Sequence, residues 1–217
     1  MNPLDLSQIE RIFYPGWLMA SQLRGGQEVR DGDSLYRQAR RLIEEARSAL
    51  NDAGYSETRR EHMVYALCAL LDESVLNRGR SDDGYLTWRR DPLQAHFFGR
   101  LNAGEELWER IRTLLKETAP DKAVLTCLYR TVQLGFVGQY RAQDDERRED
   151  VVRRLGELVP PFQLVQDAPI VSRASSLRTG RRLYWLSWAV GAVVLVALWF
   201  FLSSSLTGMV NQIIRPG

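Results

Sequence analysis

Apolar residues recur at three- and four-residue intervals through most of the first 160 positions, and sustained apolar–polar alternation is missing there. That period predicts helices and no sheet. A first helix is predicted over 4–24, with Pro15-Gly16 kinking or splitting it. "GGQEVRDGD" reads as a loop. Ser34 is the expected cap of a helix running to Ala53, with Leu35, Ala39, Leu42, Ala46 and Leu50 as its apolar stripe and Gly54 as its stop. A third helix is predicted over 57–77, followed by the turn "GRSDDGY" and short helical pieces over 85–90 and 92–98. Asn102 is placed to cap a helix through Thr118 that turns Leu107, Ile111, Leu114 and Leu115 inward. Pro120-Asp121 opens another, rich in Val124, Leu125, Leu128, Val132 and Phe136. Asp144 is the expected cap of "DERREDVVRRLGELV", which Pro160-Pro161 stops. Residues 1–161 are thus expected to form an all-α domain, an irregular bundle of about seven to eight helices.

The third helix, with "ALCALLDESVLN" at 66–77, is apolar on almost every side, as a central helix is. Val64, Cys68, Leu71 and Val75 share one face, and Tyr65, Ala69, Asp72 and Leu76 the next. Asp72 and Glu73 then stand together at its C-terminal end, where the helix dipole disfavours negative charge. Something must compensate. One reading is structural: an arginine such as Arg89, Arg130 or Arg141, with loop N–H groups as donors. The other is an acidic patch that receives a partner protein. A catalytic dyad is excluded by direction, because adjacent helix residues diverge by about 100° and cannot flank one substrate.

Beyond 161 the pattern changes. Residues 162–180 carry Pro169 and several serines without a clear period and are expected to be a linker. Leu183–Leu202 is a run of twenty uncharged, mostly apolar residues. As a helix it measures about 30 Å, the thickness of a bilayer's hydrocarbon core. The expected transmembrane helix covers 181–206, with Trp185, Trp188 and Trp199 near its ends and a tail over 207–217. Ser187 and Gly191 form a small-xxx-small pair that suits either lipid-facing filler or helix packing. Arg173, Arg178, Arg181 and Arg182 precede the run and only Arg215 comes after it, so the positive-inside tendency keeps the helical domain cytoplasmic. The N-terminal stretch "MNPLDLSQIERIFYPG" has neither the regions of a signal peptide nor a Met-Gly start.

Charge sharpens this division. Every acid lies at or before Asp167, and five of the 29 basic residues lie after it, which leaves 24 basic against 27 acidic groups up to that point. A net of −3 there is not the balance of a nucleic-acid-binding domain. Cys68 and Cys127 are far apart within apolar helical patterns, as core thiols are, and supply no disulfide framework. His62 and His96 belong to no metal-binding spacing, neither lysine follows a glycine as a Walker A motif requires, and GxSxG and GxGxxG are missing. The sequence argues against an enzyme and implies no cofactor or metal.

Four stretches carry a resemblance: "YALCALLDESVL" (65–76), "DPLQAHFF" (91–98), "AGEELWERI" (103–111) and "LGFVGQYR" (134–141). In this order and spacing they resemble the DotU/IcmH family, over about residues 4–160 and on to the single C-terminal span. In the last stretch Gly135 and Gly138 would let a helix approach its neighbour closely, Phe136 would plug the core, and Tyr140 would bring a hydroxyl. Arg141 would leave the helix end to meet Asp72 or Glu73. The resemblance implies a hook-like cytoplasmic domain of two packed sub-bundles, homodimerisation, and a scaffolding role in a type VI secretion complex at the bacterial inner membrane. The implied partners are a larger TssM-like inner-membrane protein, a TssJ-like outer-membrane lipoprotein and TssK/TssE-like baseplate proteins. It also places Asp72 and Glu73 in the family's cleft region, where partner contact and structural roles stand level. The chain has Ala103-Gly104 where many relatives have Gly-Gly, and only "SSSLTGMVNQIIRPG" after the span, so attachment to the cell wall would fall to another subunit. The same motifs fit a DotU-type subunit of a type IVB apparatus. A tail-anchored adaptor outside secretion is a further reading.

Overall fold

A computed structural model describes residues 5–140 and 145–161 of the chain. These hold eight α-helices and, among the described residues, no strand: α1 (Leu6–Arg24), α2 (Gly32–Asp52), α3 (Glu57–Leu76), α4 (Asp83–Arg90), α5 (Leu93–Phe98), α6 (Ala103–Leu114), α7 (Lys122–Gln133) and α8 (Glu146–Leu158). The chain divides into two units, Met1–Val165 and Gln166–Gly217, and all eight helices belong to the first. The expected transmembrane helix, with Ser187 and Gly191, lies outside the described residues. Among those described, no helix is long and apolar enough to cross a membrane.

Helix α3 organises the bundle. Every residue from Met63 to Leu71 is buried, and α1, α2, α4, α5, α6 and α7 all pack against it. An all-round apolar helix can be satisfied only in such a place. Helix α8 instead packs on α7, with Val151 and Leu155 turned inward.

Pro15 and Gly16 do not split α1, which is one helix through them. Pro15 removes one backbone donor, but Ile9, Phe13, Trp17, Ala20 and Leu23 hold both halves against the core. Gly16 is a contact: a Cβ there would meet Leu67 Cδ1 at 2.7 Å. Two caps also differ from expectation. Asp31, not Ser34, caps α2 by accepting from the Ser34 N–H at 2.8 Å. Asp145 caps α8, accepting from Arg147 N–H at 3.0 Å, while Asp144 lies outside the described residues. In each case two adjacent or near-adjacent cap formers compete, and the sequence alone does not separate them. Helix α6 ends at Leu114 rather than Thr118.

Candidate functional site: the acid pair of helix α3

Asp72 and Glu73 leave α3 in different directions. Asp72 is 2% exposed. Its Oδ1 accepts from the Trp88 indole N–H at 3.0 Å and the Leu93 backbone N–H at 2.8 Å, and its Oδ2 accepts from Gln94 N–H at 2.9 Å. The carboxylate therefore caps the first turn of α5 from outside and ties in α4. Burial raises its pKa to about 6, against the opposing pull of the Gln94, Leu93 and Trp88 donors. Burial likewise pushes the neighbouring Cys68 thiol up, with the Asp72 charge adding to it.

Glu73 turns towards the segment after α7. Its carboxylate accepts from Val137 N–H at 3.0 Å and Gly138 N–H at 2.8 Å, and it pairs with Arg24 Nη2 at 2.7 Å. Arg24 also donates to Ser74 Oγ at 3.0 Å, so the last residue of α1 grips two consecutive residues of α3. The cation is therefore Arg24. Arg130 instead donates to Glu10 and to the Pro160 carbonyl, Arg89 is exposed on α4, and Arg141 lies outside the described residues.

Residues 134–140, the described part of "LGFVGQYR", are not helical, contrary to the expectation. Helix α7 ends at Gln133, and Gly135 and Gly138 take φ of 100° and 59°, the left-handed region that glycine enters without strain. The four-residue spacing from Val132 to Phe136 mimics a continuing helix, and only the backbone shows the turn. Phe136 does fill the core, 6.3 Å from the Trp108 ring. Tyr140 lies edge-on to Trp108 at 4.8 Å, with Arg112 Nη1 3.4 Å from its hydroxyl. Close approach is present at Gly138, between a loop and a helix start: a Cβ there would stand 2.6 Å from the Gly104 carbonyl oxygen.

One residue the sequence did not single out closes the arrangement. Gln94 Oε1 accepts from Ala103 N–H at 2.9 Å and so caps α6, whereas Asn102, although in the cap position, makes no side-chain bond there. Gly104 O then accepts from Gln139 N–H at 2.8 Å, and Trp108 Nε1 donates to Val137 O at 2.9 Å. Asp72 thus leads through Gln94, Ala103–Gly104 and Gln139 back to Glu73. The four stretches that carry the resemblance meet in this circuit. Chemically it is a fastening of buried acceptors and backbone donors. Among the described residues no three His, Cys, Asp or Glu side chains converge as metal ligands would.

The family described as "Type VI secretion system protein DotU" matches residues 8–205. The crystal structure of T6SS SciP/TssL from enteroaggregative Escherichia coli 042 is 64% identical, with a TM-score of 0.65, covering 79% of this chain and 99% of that one. The cytoplasmic domain of TssL from Acinetobacter baumannii shares the fold at 23% identity and TM-score 0.62, covering 69% of this chain and 95% of that one. DotU from Francisella novicida shares it at 16% identity and TM-score 0.61, covering 69% and 97%. No curated protein matches. With the family matched over most of its length and a solved TssL at 64% identity, the chain belongs to the DotU family of type VI secretion system proteins.

Proposed function

We propose that the protein is the inner-membrane structural subunit of a type VI secretion complex, holding a cytoplasmic helical domain on a single C-terminal span and docking the baseplate there. The observation that carries this reading is the 64% identity to a type VI TssL over 99% of that chain. The uncharged run Leu183–Leu202, with arginines before it, supports the anchor and its orientation. In this reading the chain dimerises and joins a TssM-like inner-membrane protein, a TssJ-like lipoprotein and TssK/TssE-like baseplate proteins. It performs no chemistry. Asp72 and Glu73 serve partner binding by holding the surface of the 93–104 and 136–140 segments in shape, since their own oxygens are taken up by internal donors. The test is to tag the N-terminus, solubilise membranes in mild detergent and identify what co-purifies. Recovery of a large inner-membrane protein, a lipoprotein and baseplate subunits is expected. Extraction alone, or with a type IVB set, overturns the type VI role.

A further inference from the structure

Helix α8 carries a misplaced charge of its own. Arg148 stands in its first turn, where the helix dipole disfavours a cation, and is only 7% exposed. Burial lowers its pKa, and the Glu73 charge is the largest influence holding it up. The two charges meet across the 136–140 loop. Arg148 Nη2 donates to Val132 O at 3.1 Å and, at a longer 3.5 Å, to Phe136 O. Val137 N–H, on the same peptide group as the Phe136 carbonyl, donates to Glu73 Oε1 at 3.0 Å. The cation thus lies at the carbonyl end of that group and the carboxylate at its N–H end, and each polarises it in the other's favour. The next peptide group is bridged in the same sense: Val137 O accepts from the Trp108 indole N–H, and Gly138 N–H donates to Glu73. The Arg148 guanidinium is 5.8 Å from the Trp108 ring, so both bridges rest on one cluster.

Helix α8 depends on such fastening. It packs on α7 through Val151 and Leu155, and its 13 residues are too few for a helix to stand alone. As a rod it is about 20 Å long. Arg148 holds one end to the loop. Just past the other end the Pro160 carbonyl accepts from Arg130 at 3.0 Å, where the chain leaves the last of the eight helices.

We propose that Arg148 is a positioning residue that couples α8 to the acid pair of α3 through the Phe136–Val137 peptide group. The seating of α8 on α7 then sets the shape of the 136–140 loop. For secretion the consequence rests on the function proposed above, in which this loop is part of the partner-binding surface and the chain beyond α8 is the membrane tether. Tension on that tether reaches the partner-binding surface as a loosened loop, through a helix that is either seated or released.

Hydrogen exchange on the full chain in detergent tests the coupling, with α8 loosened away from the loop. Leu155→Ala deletes buried atoms about two turns from Arg148 and removes none of the loop's hydrogen bonds. It is expected to speed exchange of the α8 amides and, by about fivefold or more, of Val137 and Gly138, with α2 and the core of α3 unchanged. In an Arg148→Met background the loop has already lost its link to α8. There Leu155→Ala is expected to change Val137 and Gly138 by less than about twofold, although α8 still loosens. Arg148→Lys keeps a cation and is expected to retain part of the response. Faster exchange in α8 with Val137 and Gly138 unchanged overturns the coupling. So does an equal fold-change from Leu155→Ala with and without Arg148, which makes the arginine a packing residue only. Where Leu155→Ala is too unstable to purify, Val151→Ala makes a smaller deletion on the same face and is read in the same way. No partner enters these readings, so they hold or fail apart from the secretion role, which the co-purification decides.

Discussion

Glu73 Oε2 lies 2.8 Å from the backbone nitrogen of Gly138, 65 residues further along the chain. A helix-end carboxylate thus fastens a left-handed loop, and the adjacent Asp72 fastens a helix start on another side. The acid pair that looks misplaced at the C-terminus of an apolar helix is compensated by six hydrogen-bond donors, five from backbone or indole N–H groups in three other segments and one from Arg24.

Glu73→Ala removes the acceptor for Val137 and Gly138 N–H and strands the Arg24 guanidinium. Unsatisfied buried donors and a broken charged pair cost about 3 kcal/mol together. In a domain of this size that lowers Tm by about 6–12 °C. Glu73→Gln keeps the Oε1 side of the arrangement and is expected to lose about half as much. Thermal unfolding of both variants in detergent checks the order.

The raised pKa of Asp72 has a definite sign in stability. Its folded-state value is about 6 against an ordinary 3.8, so between these the folded protein holds a proton that the unfolded chain has released. The buried charge is therefore a cost that is fully present above pH 6 and disappears as pH falls below 4, on the order of 3 kcal/mol in total. Glu57, Glu106 and Asp145, held low, pull the other way and lose their contribution on acidification. The comparison that isolates Asp72 is wild type minus Asp72→Asn across pH 4 to 7: wild type is expected to gain on the variant as pH falls, with a slope near one proton. A difference independent of pH contradicts the assignment.

Gly138 and Gly104 face each other, yet alanine is tolerated at only one of them. At Gly138, φ is 59° and a Cβ would stand 2.6 Å from Gly104 O, so Gly138→Ala is expected to cost about 2–3 kcal/mol. At Gly104 the nearest atom to a Cβ is Gly138 C at 3.4 Å, an ordinary contact, and helix propensity favours alanine. Gly104→Ala is expected to be neutral to within about 0.5 kcal/mol. Equal losses in chemical denaturation contradict this role for the loop.

Gly16 offers a test of packing in α1. A Cβ there meets Leu67 Cδ1 at 2.7 Å, so Gly16→Ala is expected to destabilise by about 1–3 kcal/mol through overpacking. In a Leu67→Ala background the new methyl fills part of the space left, and the two substitutions are expected to be non-additive by more than about 0.5 kcal/mol. Additive unfolding free energies argue against the contact.

The sequence made the centre of this fold legible and its fastenings much less so. The all-round apolar pattern at 66–77 singled out α3, and the oddity of two acids at its end pointed to residues that anchor the circuit. Their donors were harder to see. Arg24, Trp88 and Gln94 lie 16 to 50 residues from the acid pair or its neighbour Ser74, with no periodic relation to them. Gln94 took the capping role that Asn102 advertises, because tertiary placement outranked a local preference. Gly138 was legible as a place of close approach. The positive φ of Gly135 and Gly138 was not, because apolar spacing alone cannot tell a continuing helix from a loop that returns to the core.

Asp72 and Glu73 hold one circuit, not two separate contacts, and on this the role given to the acid pair rests. Hydrogen exchange on the full chain tests it, with Glu73→Gln as the perturbation and the Leu93, Gln94, Ala103 and Gln139 amides as the readout, since none of these bonds to Glu73 itself. A single circuit predicts faster exchange at Gln139, at Ala103 and on to Gln94 and Leu93, while α2 and the core of α7 stay protected. Faster exchange confined to Val137 and Gly138 would contradict it, and would leave the two acids as neighbours in sequence that act alone.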